Sequence, residues 1–206
     1  MKKLIFTIGR EFGSQGGEIG KKLAEKLDIP YYDKELLARA AKDSGYCEEI
    51  LESHDEKPTS SFLYSLVFDT YNASGMSTGG FMDMPLNHKI FLAQFDSIKA
   101  IAEEGPCVIV GRCADYALQD RDDVINIFIV APEEERVKHV MTAHDMNEKK
   151  AKDMVIKQDK KRASYYNYYT TKRWGEAKSY NLVLDSSKLG VEGCVDMIIA
   201  FAEAVK

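Results

Sequence analysis

Residues Leu4-Ile5-Phe6-Thr7-Ile8 run directly into Gly9-Arg10-Glu11-Phe12-Gly13-Ser14-Gln15-Gly16-Gly17-Glu18, and these into Ile19-Gly20-Lys21-Lys22-Leu23-Ala24-Glu25-Lys26-Leu27. An apolar run, a glycine-rich turn and the helical spacing of Ile19, Leu23 and Leu27 predict a strand, a loop and a helix in immediate succession. A loop that empties onto a helix N-terminus gathers unpaired N–H groups at the positive end of the helix dipole, which suits a phosphate. A tight turn whose glycines only permit close packing has the same pattern. A full phosphate loop reads G-x-x-x-x-G-K-[ST], but Gly16 is followed here by Gly17-Glu18, so the usual cation and hydroxyl are both missing.

Downstream, Asp28-Ile29-Pro30-Tyr31-Tyr32 reads as a short extended segment, because the residue before Pro is pushed out of the α region and tyrosines suit strands. Asp33 precedes a helical pattern over 34–41, where it serves equally as an N-cap or as a group of a site. Between Ser44 and Asn87 the signals are mixed, with an acidic patch (Glu48, Glu49, Glu52, Asp55, Glu56) and a Gly/Ser-rich stretch over 74–80. That region predicts helical pieces and a mobile loop, where a flap would fit. A long helix is expected from Asn87 to Glu104, ended by Gly105-Pro106. Cys107-Val108-Ile109-Val110 then forms a buried strand with Arg112 just past its carboxyl end.

Val124 to Val130 is a further buried strand, and Pro132-Glu133-Glu134-Glu135 opens a helix with proline and acids in its first turn. Lys149 to Tyr169 is a basic helix, whose charges suit either a solvated face or an anion. Its Tyr165-Tyr166-Asn167-Tyr168-Tyr169 segment suits either packing or base stacking. Leu182 to Asp185 is the last strand, and Val191, Val195, Ile198, Ala202 and Val205 mark a closing helix. Five short apolar runs alternating with helices give an α/β fold, a parallel sheet covered on both faces. In such sheets ligands bind outside the carboxyl ends of the strands, where 9–17, Asp33, Arg112 and the start of the Pro132 helix converge.

The 206 residues suit a single domain, 1–206, and 45% hydrophobic residues supply a real core. A net charge of −5 argues against broad binding to nucleic acid or an anionic membrane, so an anionic ligand must be held locally. No run approaches the ~20 apolar residues of a membrane span, and the first apolar stretch ends at Ile8, short of a signal peptide; a cytoplasmic protein is expected. Cys47, Cys107, Cys113 and Cys194 have no metal-ligand spacing and read as reduced, buried thiols.

Taken together, Gly9-Arg10-Glu11-Phe12-Gly13-Ser14, the segment 18–27 and Ile29-Pro30-Tyr31-Tyr32-Asp33-Lys34-Glu35-Leu36 resemble the cytidylate kinase-like family. Val110-Gly111-Arg112, Phe128-Ile129-Val130-Ala131-Pro132, Asp159-Lys160-Lys161-Arg162-Ala163 and Leu184-Asp185-Ser186-Ser187 continue the likeness in the family's order across nearly the whole chain. The resemblance implies a three-layer P-loop kinase fold with a five-stranded parallel core, an acceptor flap over about 34–88 and a lid over about 145–173. It implies ATP-dependent phosphoryl transfer to a small acceptor such as CMP, with Mg²⁺. By the same likeness Gly13, Ser14, Gln15, Gly16, Gly17, Glu18 and Ile19 cradle the phosphates of ATP. Asp33, Arg39, Arg112 and Asp159 face the acceptor, and Arg112, Lys161, Arg162 and Arg173 supply cations for transfer. Ser14, Glu18 and Asp185 are the candidates near Mg²⁺, whose ligands stay unassigned.

The chain departs from the family where Gln15 replaces a glycine, where the loop cation is missing, and where His139 and Val140 stand at positions that carry arginines in cytidylate kinases. Two other functions therefore stay open: a nucleotide-binding regulator without transfer, and a kinase for a non-nucleotide hydroxyl acceptor. Oligomeric state is not readable from the sequence.

Overall fold

The computed structural model describes residues 4–44 and 85–205. Five strands, β1 (Ile5–Arg10), β2 (Tyr31–Tyr32), β3 (Val108–Val110), β4 (Val124–Val130) and β5 (Leu182–Asp185), form one sheet in the order β2-β3-β1-β4-β5. Every pairing is parallel, with Phe6 opposite Val108 and Ile125, Tyr31 opposite Val108, and Ile127 opposite Leu182. The helices are α1 (Gly16–Leu27), α2 (Glu35–Ser44), α3 (Leu86–Glu104), the single turn α4 (Ala114–Ala117), α5 (Glu133–His144), α6 (Glu148–Tyr169) and α7 (Ser186–Ala204).

Successive strand side chains point to opposite faces, and the two faces of this sheet bury different helices. Leu4, Phe6 and Ile8 of the β1 segment, with Val108, Val110, Ile125, Ile127 and Ile129, pack under Ile19 and Leu23 of α1 and Val195 and Ile198 of α7. Ile5 and Ile109 face the other way, onto Leu36 of α2, Ile98 and Ile101 of α3 and Ala114 and Ala117 of α4. Burying a large aliphatic side chain contributes about 1.5–3 kcal/mol, so the run of fully buried Ile, Leu and Val fixes the register of β1.

From β1 the chain leaves toward the β2 edge, and from β4 toward the β5 edge. The crevice of the sheet therefore opens at the carboxyl ends of β1, β3 and β4. α5 and α6 cover it. Val137 and Val140 of α5 pack on Ala151 and Val155 of α6 with Phe12 beside them. Further along α6, Tyr165 and Tyr169 pack on Phe91 of α3, the Phe91 and Tyr169 rings stacked at 4.0 Å. With 22 residues, α6 is about 33 Å long and spans the whole carboxyl edge.

The expected strands stand where the sequence places them, β4 and β5 with the same bounds. α1 begins at Gly16 rather than Ile19, because Gln15 turns the chain with φ 61° ahead of it. The closing helix begins at Ser186, five residues early, with the Asp185 carboxylate accepting from the Ser187 N–H at 2.9 Å and a non-helical break at Gly190. Cys107, Cys113 and Cys194 are buried and in no disulfide among the described residues; Cys47 and most of the expected flap lie outside the described residues. Among the described residues no helix is long and apolar enough to cross a membrane.

Candidate active site

The loop after β1 is shaped by backbone contacts more than by its glycines alone. Glu11 N–H donates to Ile129 O of β4 at 3.0 Å, and the Ser14 hydroxyl, fully buried, reaches Glu11 O at 2.9 Å and Ile129 O at 3.1 Å. Gly13 takes φ +82°, and a Cβ there would stand 2.8 Å from Arg136 O. No side chain caps α1, whose first-turn N–H groups face the cleft bounded by Gly13, Gln15, Gly16 and Gly17 on one side and His139 and Arg162 on the other. An uncapped helix start under a cationic roof fits a polyphosphate. Ser14 is spent on the fold and does not reach the cleft, while Gln15 Nε2 donates to Glu18 Oε2 at 2.9 Å on the exposed rim. Ile19, expected in the cradle, does not reach the cleft: its side chain is core and its N–H donates to Gln15 O at 2.9 Å.

Where the loop lacks a lysine, the structure supplies an arginine network. Arg136 of α5, 8% exposed, lies between two carboxylates: Asp159 of α6, which it contacts through Nη1, and Glu11, 3.4 Å from its Nε. Its guanidinium also donates to Ala131 O at 2.9 Å and Phe12 O at 3.2 Å. Asp159 Oδ1 accepts the Phe12 N–H at 2.7 Å, and Glu11 Oε2 accepts the Ala131 N–H at 3.0 Å. Burial pushes the Glu11 carboxyl above its ordinary range against the opposing pull of the Ala131 N–H and Arg136. Arg162, one turn after Asp159, donates to Arg10 O at 3.2 Å and lies over the Phe12 ring. α6 is thus held against the loop at two adjacent turns.

The second half of the site lies across β1 and β3. Gly111, Arg112 and Cys113 take φ values of 74°, 52° and 56°, three successive left-handed residues that cost about 1 kcal/mol or more at each non-glycine. This sharp turn brings Arg112 back over the sheet end, its side chain only 3% exposed, with Nη1 2.9 Å from Asp33 Oδ1 and 3.1 Å from Val110 O. Arg10 approaches the same Asp33 oxygen at 4.0 Å, and the Tyr31 hydroxyl lies 3.5 Å from Asp33 Oδ2. Arg10, Arg112 and Arg162 line one cleft, which adjoins the phosphate loop.

A sequence profile of the cytidylate kinase-like family matches residues 5–188. The chain belongs to this family. No curated protein sequence matches it. An uncharacterized protein from Eubacterium ventriosum is 36% identical, with 98% of this chain and 99% of that one covered and a TM-score of 0.73. Shikimate kinase from Bacteroides thetaiotaomicron is 12% identical over 97% and 98% of the two chains, TM-score 0.54. Shikimate kinase from Acinetobacter baumannii, solved with shikimate, is 11% identical over 99% and 94%, TM-score 0.50. These kinases share the fold, a P-loop kinase architecture around a five-stranded parallel sheet.

In this cytidylate kinase-like chain, the structure brings Asp33, Arg112 and Arg162 together with the loop 13–17. Asp33 is not the helix cap: α2 starts at Glu35, and the Asp33 carboxylate goes to Arg112. Asp159, expected on the acceptor side, binds Arg136 and the Phe12 N–H at the loop. Arg39 ion-pairs with Glu104 of α3 at 2.8 Å, and Arg173 is exposed. Lys161 is half-buried beside Arg162. Glu18 stays exposed, and Asp185 accepts from the Ser187 N–H and hydroxyl at the start of α7. Of the tyrosine run, Tyr165 and Tyr169 are packing residues, whereas Tyr166 donates its hydroxyl to Asp115 at 2.6 Å. Sequence reasoning missed Arg10, Arg136 and Glu11 as parts of the site. Arg10 and Glu11 lie inside the glycine stretch itself, which is the signal that marks them.

Proposed function

We propose that this protein transfers the γ-phosphoryl group of Mg-ATP to a nucleoside monophosphate, CMP before others. The observation that carries the reading is the joint cleft: an uncapped helix start for the donor phosphates and, across Arg162, a buried Arg112 with Arg10 for the acceptor phosphate. Phosphoryl transfer needs little covalent chemistry; in-line positioning and cations on the equatorial oxygens carry most of the rate. In this reading Gly13, Gln15, Gly16 and Gly17 hold ATP through their backbones, with Glu18 on the rim. Arg162, with Lys161 beside it, bridges donor and acceptor, and Arg112 and Asp33 orient the acceptor. Mg²⁺ arrives on the nucleotide phosphates, as is usual for this ion.

The loop lacks a lysine, and the Arg136 network makes up for its absence only in shape. Its charge is already engaged by Glu11 and Asp159, so Arg162 carries the cationic role at the phosphates. A kinase for a polyhydroxyl acceptor is the second reading, favoured by the Asp33 carboxylate at the acceptor side, since a carboxylate there suits hydroxyl donors. A coupled ADP-release assay with Mg-ATP against CMP, UMP, AMP, GMP and shikimate separates the readings. CMP-stimulated release supports the first, and release with shikimate alone supports the second.

A further inference from the structure

The stem of Arg10, at the end of β1, lies across the first residue of α1. A Cβ on Gly16 would stand 2.4 Å from Arg10 Cβ and 3.0 Å from Arg10 Cγ, so no side chain, a lysine included, fits there in this backbone geometry. Two clefts meet at this crossing. One, of about 210 Å³, lies over Gly13, Gln15, Gly16 and Gly17; the other runs from Arg10 to Arg112. Among the described residues, Arg10 and Arg162 are the two that line both. The Arg10 side chain is 11% exposed, and its Nη2 stands 4.0 Å from Asp33 Oδ1, an oxygen that Arg112 holds more closely at 2.9 Å. From α6, Arg162 Nη1 donates to Arg10 O at 3.2 Å, fastening the two arginines to each other at the junction.

A γ-phosphoryl group has to cross this junction. An oxygen of the ionised acceptor phosphate bonds the γ-phosphorus while the bond to the β,γ-bridging oxygen breaks, and that electron pair stays on ADP. The three equatorial oxygens carry charge throughout, and fixed cations beside them count most where water is scarce. We propose that Arg10 is a catalytic residue, its guanidinium holding the equatorial oxygens of the γ-phosphoryl group in place of a loop lysine. The inference rests on the donor and acceptor reading given above and gives Arg10 a phosphate beyond the acceptor's. Gly16 and Arg10 then form one device: the bare first residue of α1 makes room for a cation that arrives from β1.

Titration calorimetry of Mg-ATP and Mg-ADP, without acceptor, into the parent and Arg10→Met tests the contact. Methionine keeps an apolar stem across Gly16 and removes the charge; if that variant does not fold, Arg10→Gln gives the same comparison. Affinity for ATP relative to ADP should fall about tenfold or more, the scale of one charge-assisted hydrogen bond. An unchanged ratio, an equal loss for both nucleotides included, overturns the assignment, because a residue that only shapes the loop acts on the phosphates that ADP retains. With Mg-ATP and CMP both saturating, kcat in the variant should fall about tenfold to a hundredfold. A loss confined to the KM for CMP overturns the catalytic role and leaves Arg10 with the acceptor phosphate alone. A parent that binds ATP but phosphorylates no nucleoside monophosphate overturns the acceptor reading, and the ATP-to-ADP ratio then decides the Arg10 contact by itself. A parent that binds neither nucleotide overturns the donor reading and this assignment with it.

Discussion

Arg112 Nη1 lies 2.9 Å from Asp33 Oδ1, joining the carboxyl ends of β3 and β2, two adjacent strands of the sheet. The pair is asymmetric: the Arg112 side chain is 3% exposed and that of Asp33 28%. The guanidinium is thus fixed from below by Val110 O, while the carboxylate stays accessible to a ligand. Arg112→Ala should lower kcat/KM for the acceptor about tenfold to a hundredfold, the scale of one charge-assisted contact, and leave the KM for ATP nearly unchanged. Steady-state kinetics with each substrate varied in turn checks this. Equal losses for both substrates would make Arg112 a structural residue.

The Glu11–Arg136–Asp159 network predicts a stability effect distinct from any catalytic one. Arg136→Met would leave two half-buried carboxylates without their cation, and breaking a buried pair from one side costs about 3–5 kcal/mol, reduced here by partial exposure to about 2–3. Asp159→Asn keeps an acceptor for the Phe12 N–H and should cost less than half as much. Urea unfolding of both variants decides it. Equal costs would mean that the Arg136 contacts to Ala131 O and Phe12 O, not the ion pairs, carry the stability.

The pH dependence has a definite sign. Burial raises the folded-state carboxyls of Asp115 and Glu11, so the native state holds its protons more tightly than the unfolded chain does. Both contributions are then fully present below the ordinary carboxyl value of about 4 and are lost as pH rises through the raised values. Asp115→Asn should therefore unfold at a higher temperature than the parent at pH 7, with the difference closing toward pH 4. Thermal melts across that range measure it. A variant less stable at pH 7 would mean that the Tyr166 and backbone hydrogen bonds outweigh the burial of the charge.

Two neighbouring glycines of the loop should behave differently. A Cβ on Gly16 would stand 2.4 Å from Arg10 Cβ, close to the main chain, so Gly16→Ala must shift β1 or the loop, at about 1–3 kcal/mol. A Cβ on Gly17 meets nothing nearer than the Tyr31 hydroxyl at 3.8 Å and Asp33 Oδ2 at 3.9 Å, so Gly17→Ala should fold normally. For the same reason a cation restored as Gly17→Arg leaves the loop toward Asp33. It should compete with Arg112 and raise the KM for the acceptor without improving that for ATP. A clear gain in ATP affinity would contradict this geometry.

Much of this site is legible in the sequence because its backbone determinants are local. Apolar runs bounded by glycine and proline mark β3 and β4, and Arg112 follows β3 directly, so its place at the sheet edge follows from strand position alone. The partners of Asp159 and Arg39 could not be read because they are remote: Arg136 lies 23 residues from Asp159 and Glu104 lies 65 from Arg39, and no spacing rule links such pairs. Ser14 shows another limit. A hydroxyl in a glycine loop reads as a ligand, but the carbonyls of Glu11 and Ile129 claim it first. That Asp115 is buried and held by Tyr166 depends on α6 crossing the sheet, which is a tertiary fact.

The central claim is that phosphate passes from ATP to a nucleoside monophosphate lying on Arg112. Incubation of the protein with Mg²⁺, γ-labelled ATP and CMP, followed by separation of the nucleotides, tests it most directly. The account predicts label in CDP for the parent, with initial transfer about tenfold to a hundredfold slower in folded Arg112→Ala. Label found only in inorganic phosphate, or in no product while ATP still binds, would contradict it.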